Sequence, residues 1–321
     1  MLREITIRNY KIFKCIHRIA LAVSEQAPVT IISTTTASGK TTLIEAIYWC
    51  LYGETFGNGD NLLNLERQRE MRPGELETVD VELVFDGATG VQRVHRSIAF
   101  RKEYDRVLRY RDYDRFYPCE DVSFIPKQSS APVFFIEASG IRDQHRIEIM
   151  VNGMVEGRFG ILRRHGKERF EKLKKAVMTK IAVCATSVFQ KLYFRPDGYQ
   201  IIWNDCFFVL CHDDAVICDC LSETDQMLFS IAILHGIREI FYDRSKNPYN
   251  FPVIIDDIFV YTAPSRFSVE KLFQMLDRRQ VLMLVHENTI RDVQLQDYCG
   301  KRYEMRRNQD WTNVTIEKKN V

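Results

Sequence analysis

Thr34-Thr35-Thr36-Ala37-Ser38-Gly39-Lys40-Thr41-Thr42 follows the apolar run Val29-Thr30-Ile31-Ile32 and precedes a helix-prone stretch, LIEAIYWCL over 43–51. Strand, small-residue turn and helix in that order predict a phosphate-binding loop. A tight turn into a helix start points several backbone N–H groups at one anion, and the helix dipole adds positive potential at the same place. Lys40 is then placed for the β- and γ-phosphates of a nucleotide, and the Thr41 hydroxyl for Mg²⁺. The full pattern GxxxxGK[ST] fails at one position, where Thr34 stands for the first Gly. Its phosphate-touching half, Gly39-Lys40-Thr41, is intact. A lone Gly-Lys-Thr is commonly a surface turn. The strand before it and the helix after it favour a nucleotide site, with Ser38, Gly39, Lys40, Thr41 and Thr42 as contacting residues.

Far downstream, Phe251-Pro252-Val253-Ile254-Ile255-Asp256-Asp257-Ile258-Phe259 reads as a buried strand ending in two carboxylates. Beside a phosphate loop, the first acid, Asp256, belongs to the Mg²⁺ shell, and the second, Asp257, is placed to polarise an attacking water. Taken alone, the same stretch is a parallel core strand emerging into a polar turn, with no metal needed. The loop upstream decides between them.

Between these segments stands Leu221-Ser222-Glu223-Thr224-Asp225-Gln226, followed by an apolar-periodic helix over 227–241. Here the chain resembles the SMC/RecF-type branch of the ABC ATPases, the group containing SbcC and DndD, and the likeness runs from end to end. The opening LREITIRNYKIF, residues 2–13, looks like that group's first strand and the turn after it; SGKTTLIEAIYWCLYG, residues 38–53, is close to its phosphate-loop helix. Phe134-Phe135-Ile136-Glu137 resembles the aromatic-acidic segment that precedes the coiled coil in DndD-like proteins. Residues 221–226 fall where the LSxGE signature belongs, and Val285-His286-Glu287 falls where a switch histidine follows the last core strand.

The resemblance implies an α/β fold of the P-loop NTPase type, a mixed β-sheet core flanked by helices with an antiparallel β subregion. It implies ATP and Mg²⁺, and ATP-gated dimerisation as a homodimer or heterodimer, with each nucleotide held between the loop of one head and the signature of the other. Carried over, Ser222 meets the γ-phosphate across the interface, and His286 contacts it from its own subunit as a catalytic group beside Asp257. Gln128, or failing that Gln144, is the candidate for the loop that senses Mg²⁺ and the attacking water; a Lys-Gln-Ser-Ser stretch is otherwise an ordinary polar loop. Partners implied are DNA and a nuclease or other complex subunit, in DNA repair or defence against foreign DNA.

Departures from the family pattern bear on turnover. Thr34 and Thr36 replace the usual Gly and Asn of the loop, bringing Cβ atoms and hydroxyls where the backbone must approach phosphate closely. Thr224 replaces the signature Gly, Ala263 stands where the D-loop aspartate belongs, and Asp257 takes the place of the commoner catalytic glutamate. Together they predict slow hydrolysis or none, so two classes stand: a slow ATPase head, or a pseudo-ATPase acting as a nucleotide-gated or structural subunit. A kinase-like phosphotransferase is disfavoured by the Leu221-Ser222 helix start.

The 321-residue chain is 45% hydrophobic, enough for a substantial core. It carries no apolar stretch of bilayer-spanning length and no signal-peptide layout, so a cytoplasmic protein without membrane contact is expected. Among nine cysteines, Cys206, Cys211, Cys218 and Cys220 with His212 lack a CxxC pair and read as thiols on a buried hairpin rather than a zinc site. Net charge is +2, so overall charge does not announce nucleic acid. Two basic stretches, 101–115 with interleaved Tyr and Phe and 163–175, suit either a phosphodiester backbone or solvated faces.

Organisation is read as one discontinuous ATPase unit. An N-lobe over 1–150 holds the loop and a β-rich region around an Asp86-Gly87 turn; 151–197 is a short helical insertion; a C-lobe over 198–321 carries the signature, the acidic strand and the switch histidine. Gly153, Gly157, Gly160 and Gly166 interrupt any sustained heptad, so the insertion predicts a bare head with a truncated stalk.

Overall fold

The computed structural model describes residues 1–35, 38–53, 55, 61–87, 90–117, 135–137, 167–193, 198–205, 208–217, 223–241, 252–256, 279–287, 298–310 and 312–320. In chain order the elements are β1 (Leu2–Arg8), β2 (Ile16–Ala20), β3 (Val29–Thr34), α1 (Lys40–Tyr52), α2 (Leu65–Glu70), β4 (Leu76–Gly87), β5 (Gly90–Glu103), β6 (Arg106–Tyr117) and β7 (Phe135–Glu137). They continue with α3 (Lys167–Leu192), β8 (Tyr199–Trp203), β9 (Phe208–His212), β10 (Ala215–Val216), α4 (Glu223–Phe241), β11 (Val253–Asp256), β12 (Val281–His286), β13 (Cys299–Arg307) and β14 (Val314–Lys319).

A six-stranded sheet in the order β14-β13-β3-β12-β11-β7 forms the centre, parallel except for β14. Its middle strands are apolar on both faces, as strands covered by helices on each side must be. Alternation then sorts their side chains into two cores. Val29, Ile31, Val253, Ile255, Val281, Met283 and Val285 join α3 and α4 on one face. Ile32, Ile254, Leu282 and Leu284 join α1 on the other.

α1 is buried nearly all round because a second sheet lies beyond it, the antiparallel β2-β1-β4-β5-β6. Leu43, Ile47, Trp49 and Cys50 share one core with Ile5, Val81, Leu83, Val94 and Ile98 of that sheet. A helix between two sheets has no wet face, so its polar groups need partners. Glu45, 6% exposed, is paired with Lys11 at 2.5 Å. The C-terminus ends on Gly53 at φ 77°, where Arg96 Nε donates to the Cys50 carbonyl at 3.2 Å and adds a cation to the negative helix end.

On the far face, α3 and α4 approach closely at Gly236, where an added Cβ would stand 2.6 Å from the Ile181 carbonyl oxygen. The Thr186 hydroxyl ties α3 to the small β10-β9-β8 sheet by accepting from Ile201 N–H at 2.8 Å. Cys211 lies buried within β9, and among the described residues no group of three or more His, Cys, Asp or Glu side chains is disposed to hold a metal ion. No described helix is long and apolar enough to cross a membrane.

The helix expected over 43–51 starts at Lys40, and the helix expected over 227–241 starts at Glu223. The strand ending at His286 is not the last of the core, because β13 adds parallel to the other edge of β3 and β14 follows it. The central sheet therefore draws strands from both expected lobes. Of the helical insertion expected over 151–197, α3 lies within the described residues, whereas 151–166 and 194–197 lie outside them.

Gln280 joins the layers at the opposite edge from the loop. Its amide, 2% exposed, accepts from Leu2 N–H at 2.9 Å and donates to the carbonyls of Leu2 at 2.6 Å and Ala22 at 2.7 Å. Replacement by leucine strands these backbone groups in the core at about 1–3 kcal/mol for each one left unsatisfied. Gln280→Leu is expected to lower the urea midpoint, followed by tryptophan fluorescence, by an amount equivalent to several kcal/mol (about 3 or more). An unchanged midpoint would show that these groups find other partners.

Candidate nucleotide site

Parallel strands bring their C-terminal ends to one edge, where the site residues of three segments meet. Thr34 of β3 is the register partner of His286 of β12, and Asp256 of β11 is the partner of Leu284, which faces Ile32. Glu137 of β7 is in turn the partner of Asp256. Because Ile32, Leu284 and Ile254 point into the α1 core, the alternation places Thr34, His286 and Asp256 on that same face. β12 intervenes between β3 and β11, so Asp256 stands roughly 10 Å across the sheet from the β3 strand. Asp256 is 6% exposed, at the end of a strand whose other residues are apolar.

The turn from β3 to α1 is built around Gly39. Its φ is 101°, in the left-handed region, and a Cβ there would lie 2.0 Å from Ile12 Cδ1. Both facts require glycine. The Gly39 carbonyl accepts the first helical bond, from Leu43 N–H at 2.9 Å. N–H groups ahead of that bond have no acceptor within the helix. α1 has neither a side-chain cap nor an acidic residue in its first turn. Its positive end thus carries no acidic group of its own first turn. Ser38, 1% exposed, closes the turn by donating from Oγ to the Thr35 carbonyl at 2.5 Å. Lys40 and Thr42 are half-buried and Thr41 is exposed. The Thr34 hydroxyl is buried and, among the described residues, has no hydrogen-bond partner.

A brace behind the loop holds Ile12 against Gly39. Asn9, Lys11 and Cys15 adopt positive φ values of 54°, 50° and 62°. The Asn9 side chain spans the turn, accepting from Cys15 N–H at 2.9 Å and donating to the Thr78 carbonyl at 3.1 Å. Ile12's carbonyl accepts from Val314 N–H at 3.1 Å. Asn64, fully buried, donates to the carbonyls of Lys11 at 2.6 Å and Thr312 at 2.9 Å while capping α2. These contributors are invisible as a motif, although asparagine at Asn9 and Asn64 is a residue suited to left-handed backbone and helix caps.

Of the residues expected at the site, Ser38, Gly39, Lys40, Thr41, Thr42, Asp256 and His286 lie at this edge. Asp257, Ser222, Gln128, Gln144 and Ala263 lie outside the described residues. Thr224 falls in the first turn of α4, whose core contacts lie on the face of the sheet opposite α1. Of the basic stretch 101–115, Arg101, Arg106 and Arg109 are exposed, whereas Lys102 turns inward to donate to the Gln68 carbonyl at 3.0 Å.

The observed groups fit a polyphosphate and its cation: an uncapped helix start, an unbonded buried hydroxyl beside it, and a buried carboxylate on the same sheet face. An AAA domain family matches over residues 4–183. Among solved structures, the recombination mediator protein RecF in its ATP form aligns over 99% of this chain and 97% of its own, at 10% identity and a TM-score of 0.52. The SMC head domain from Thermotoga maritima aligns over 100% of this chain and 99% of its own, at 15% identity and a TM-score of 0.49. No curated protein matches. RecF and this chain share a fold, and because the family match takes in the loop, α1, the antiparallel sheet and part of α3, more than half of the sequence, the chain belongs to the AAA domain family.

Proposed function

We propose that the chain binds Mg²⁺–ATP between the 34–42 loop and the acidic end of β11, closes on ATP against a second head, and hydrolyses the nucleotide slowly. The observation that carries this reading is the start of α1, set by Gly39 at the C-terminal edge of the sheet with Thr34, His286 and Asp256 on the same face. The N–H groups of the first turn receive the phosphates, Lys40 neutralises them, and Thr41 and Asp256 hold the cation. The cation they would hold would supply charge neutralisation to the phosphates. Asp257 takes the role of polarising the attacking water, with His286 on the γ-phosphate side and Gln128 as the sensor of that water.

Dimerisation is supported by the placement of α1 and α4 on opposite faces of the central sheet. α4 packs on the face of the sheet opposite α1, and in this reading Ser222, just ahead of α4 in the sequence, serves a nucleotide held by a second head. That head is a second copy or a related chain. The RecF structure, of an ATP form, supports the nucleotide reading of the loop. The proposed setting is action on DNA with a nuclease or other subunit in repair or defence, with Arg101, Arg106 and Arg109 of the β5–β6 hairpin offered to the phosphodiester backbone.

A second reading, a nucleotide-gated scaffold without turnover, is favoured by Thr34, Thr36, Thr224 and Ala263. Thr224→Gly separates the two: a rise in hydrolysis or in ATP-dependent dimer places the signature at a nucleotide, and no change argues for the scaffold.

Lys40→Ala is expected to weaken Mg²⁺–ATP binding at least about tenfold, since it removes a charge-assisted bond to phosphate. Isothermal titration calorimetry with light scattering checks this, and unchanged affinity would refute the loop assignment. If the hairpin arginines bind DNA, affinity should fall as salt rises, and Arg106→Ala with Arg109→Ala should reduce the log–log slope by about 1 to 2. A salt-independent affinity would remove the hairpin from the DNA surface.

A further inference from the structure

β3 carries three buried hydroxyls, and two of them are bonded. Thr30 Oγ1 accepts from Ala22 N–H at 2.7 Å, and Ser33 Oγ donates to the Tyr303 carbonyl at 3.1 Å. Thr34 Oγ1 is the third. It is 1% exposed, and among the described residues it has no hydrogen-bond partner. A hydroxyl taken from water without a replacement bond lowers stability, and valine would fill the same place in a strand without that cost. Ile32 lies on the α1 face of β3, so alternation turns the Thr34 side chain to that face as well. There it ends the strand five residues before Gly39, next to the uncapped start of α1 and in register with His286.

The geometry points to Thr34 as a phosphate-binding residue: its hydroxyl donates a hydrogen bond to a phosphoryl oxygen of the bound nucleoside triphosphate. This rests on the proposed reading of the loop as a nucleotide site. The family pattern has glycine here, where the backbone alone meets the phosphate. In this chain the backbone of Thr34 is not in the left-handed region, so a side chain is carried without backbone strain. The Cβ that narrows the loop also brings a donor. A hydroxyl facing an anion has its proton to give, and bonds to charged acceptors are about twice as strong as neutral ones. The departure at residue 34 therefore alters how phosphate is held instead of abolishing it.

The test is calorimetric titration of the full chain with Mg²⁺–ATP, comparing Thr34→Val, Thr34→Ala, Thr34→Ser and Lys40→Ala. Thr34→Val preserves shape and loses the donor, and is expected to bind about tenfold or more weakly. Thr34→Ala gives a second measure of the lost hydroxyl that does not depend on how well valine packs. Thr34→Ser keeps the donor and should stay within about threefold of the wild type. Without nucleotide, Thr34→Val should unfold at no lower temperature than the wild type, because it removes an unbonded polar atom from the core. Wild-type affinity in Thr34→Val and Thr34→Ala, with binding lost in Lys40→Ala, would overturn the Thr34 role and leave the loop reading standing. A wild-type chain that binds no Mg²⁺–ATP would overturn both.

Discussion

Burial of β3, β12 and β11 on both faces is the constraint from which the rest of the architecture follows. Strands without a wet face must be covered twice, by α1 on one side and by α3 with α4 on the other. Once covered, they can meet water only at their ends. Parallel order gathers the C-terminal ends at one edge, which is where open α/β sheets place ligands. Polar chemistry at Thr34, His286 and Asp256 is thus confined to one rim of an apolar slab, and the alternation of the pleat assigns it to the α1 face.

Covering α1 with a second sheet has its own consequence. A helix sealed between two apolar layers cannot rotate or shift without exposing one of them, so its start is held in place relative to β3. The fit at Gly39 is correspondingly close, with Ile12 filling the space that any other residue would need. Ile12 is itself fixed by a polar knot of three segments. Lys14 pairs with Glu66 at 3.0 Å and with Glu70; the Thr312 hydroxyl and Asn308 also donate to Glu66, the latter at 3.0 Å. Residues from both ends of the chain therefore brace one turn of backbone beside the phosphate loop. Each ion pair at this half-exposed surface contributes little by itself. Their value is positional, because they order a turn whose Asn9, Lys11 and Cys15 sit in left-handed backbone.

Much of this was legible in the sequence, for physical reasons that differ by segment. The loop was legible because Gly-Lys-Thr between an apolar strand and a helix couples local geometry to one chemistry. β4 and β5 were legible because alternation is a local signal, although Asp86 and Gly87, expected as the turn, are the last residues of β4 and pair with Val91 and Gly90. β13 was not, since Lys301, Arg302, Arg306 and Arg307 crowd the inward positions Tyr303 and Met305 and hide the two-residue period. Starts of helices were read late, at Leu43 and Met227, because their first turns are polar and carry no apolar period. Lys102 looked like part of a basic face, yet it reaches back to Gln68, a contact across 34 residues that no local pattern encodes. The Gly39–Ile12 contact belongs to the same class: the motif names the glycine, and only the fold names what crowds it.

The two-faced sheet also limits what one chain can do. α1 and the strand-end residues occupy one face, whereas the helix that begins at the signature segment occupies the other. A phosphate loop on such a slab is open on the side away from its own core, with fixed positive potential from the helix start and no acidic group in that first turn to offset it. Bound triphosphate satisfies that potential from one side only. Under the proposed dimer its outer oxygens would be left to groups of a second head, and each head would then supply part of a site that neither closes alone.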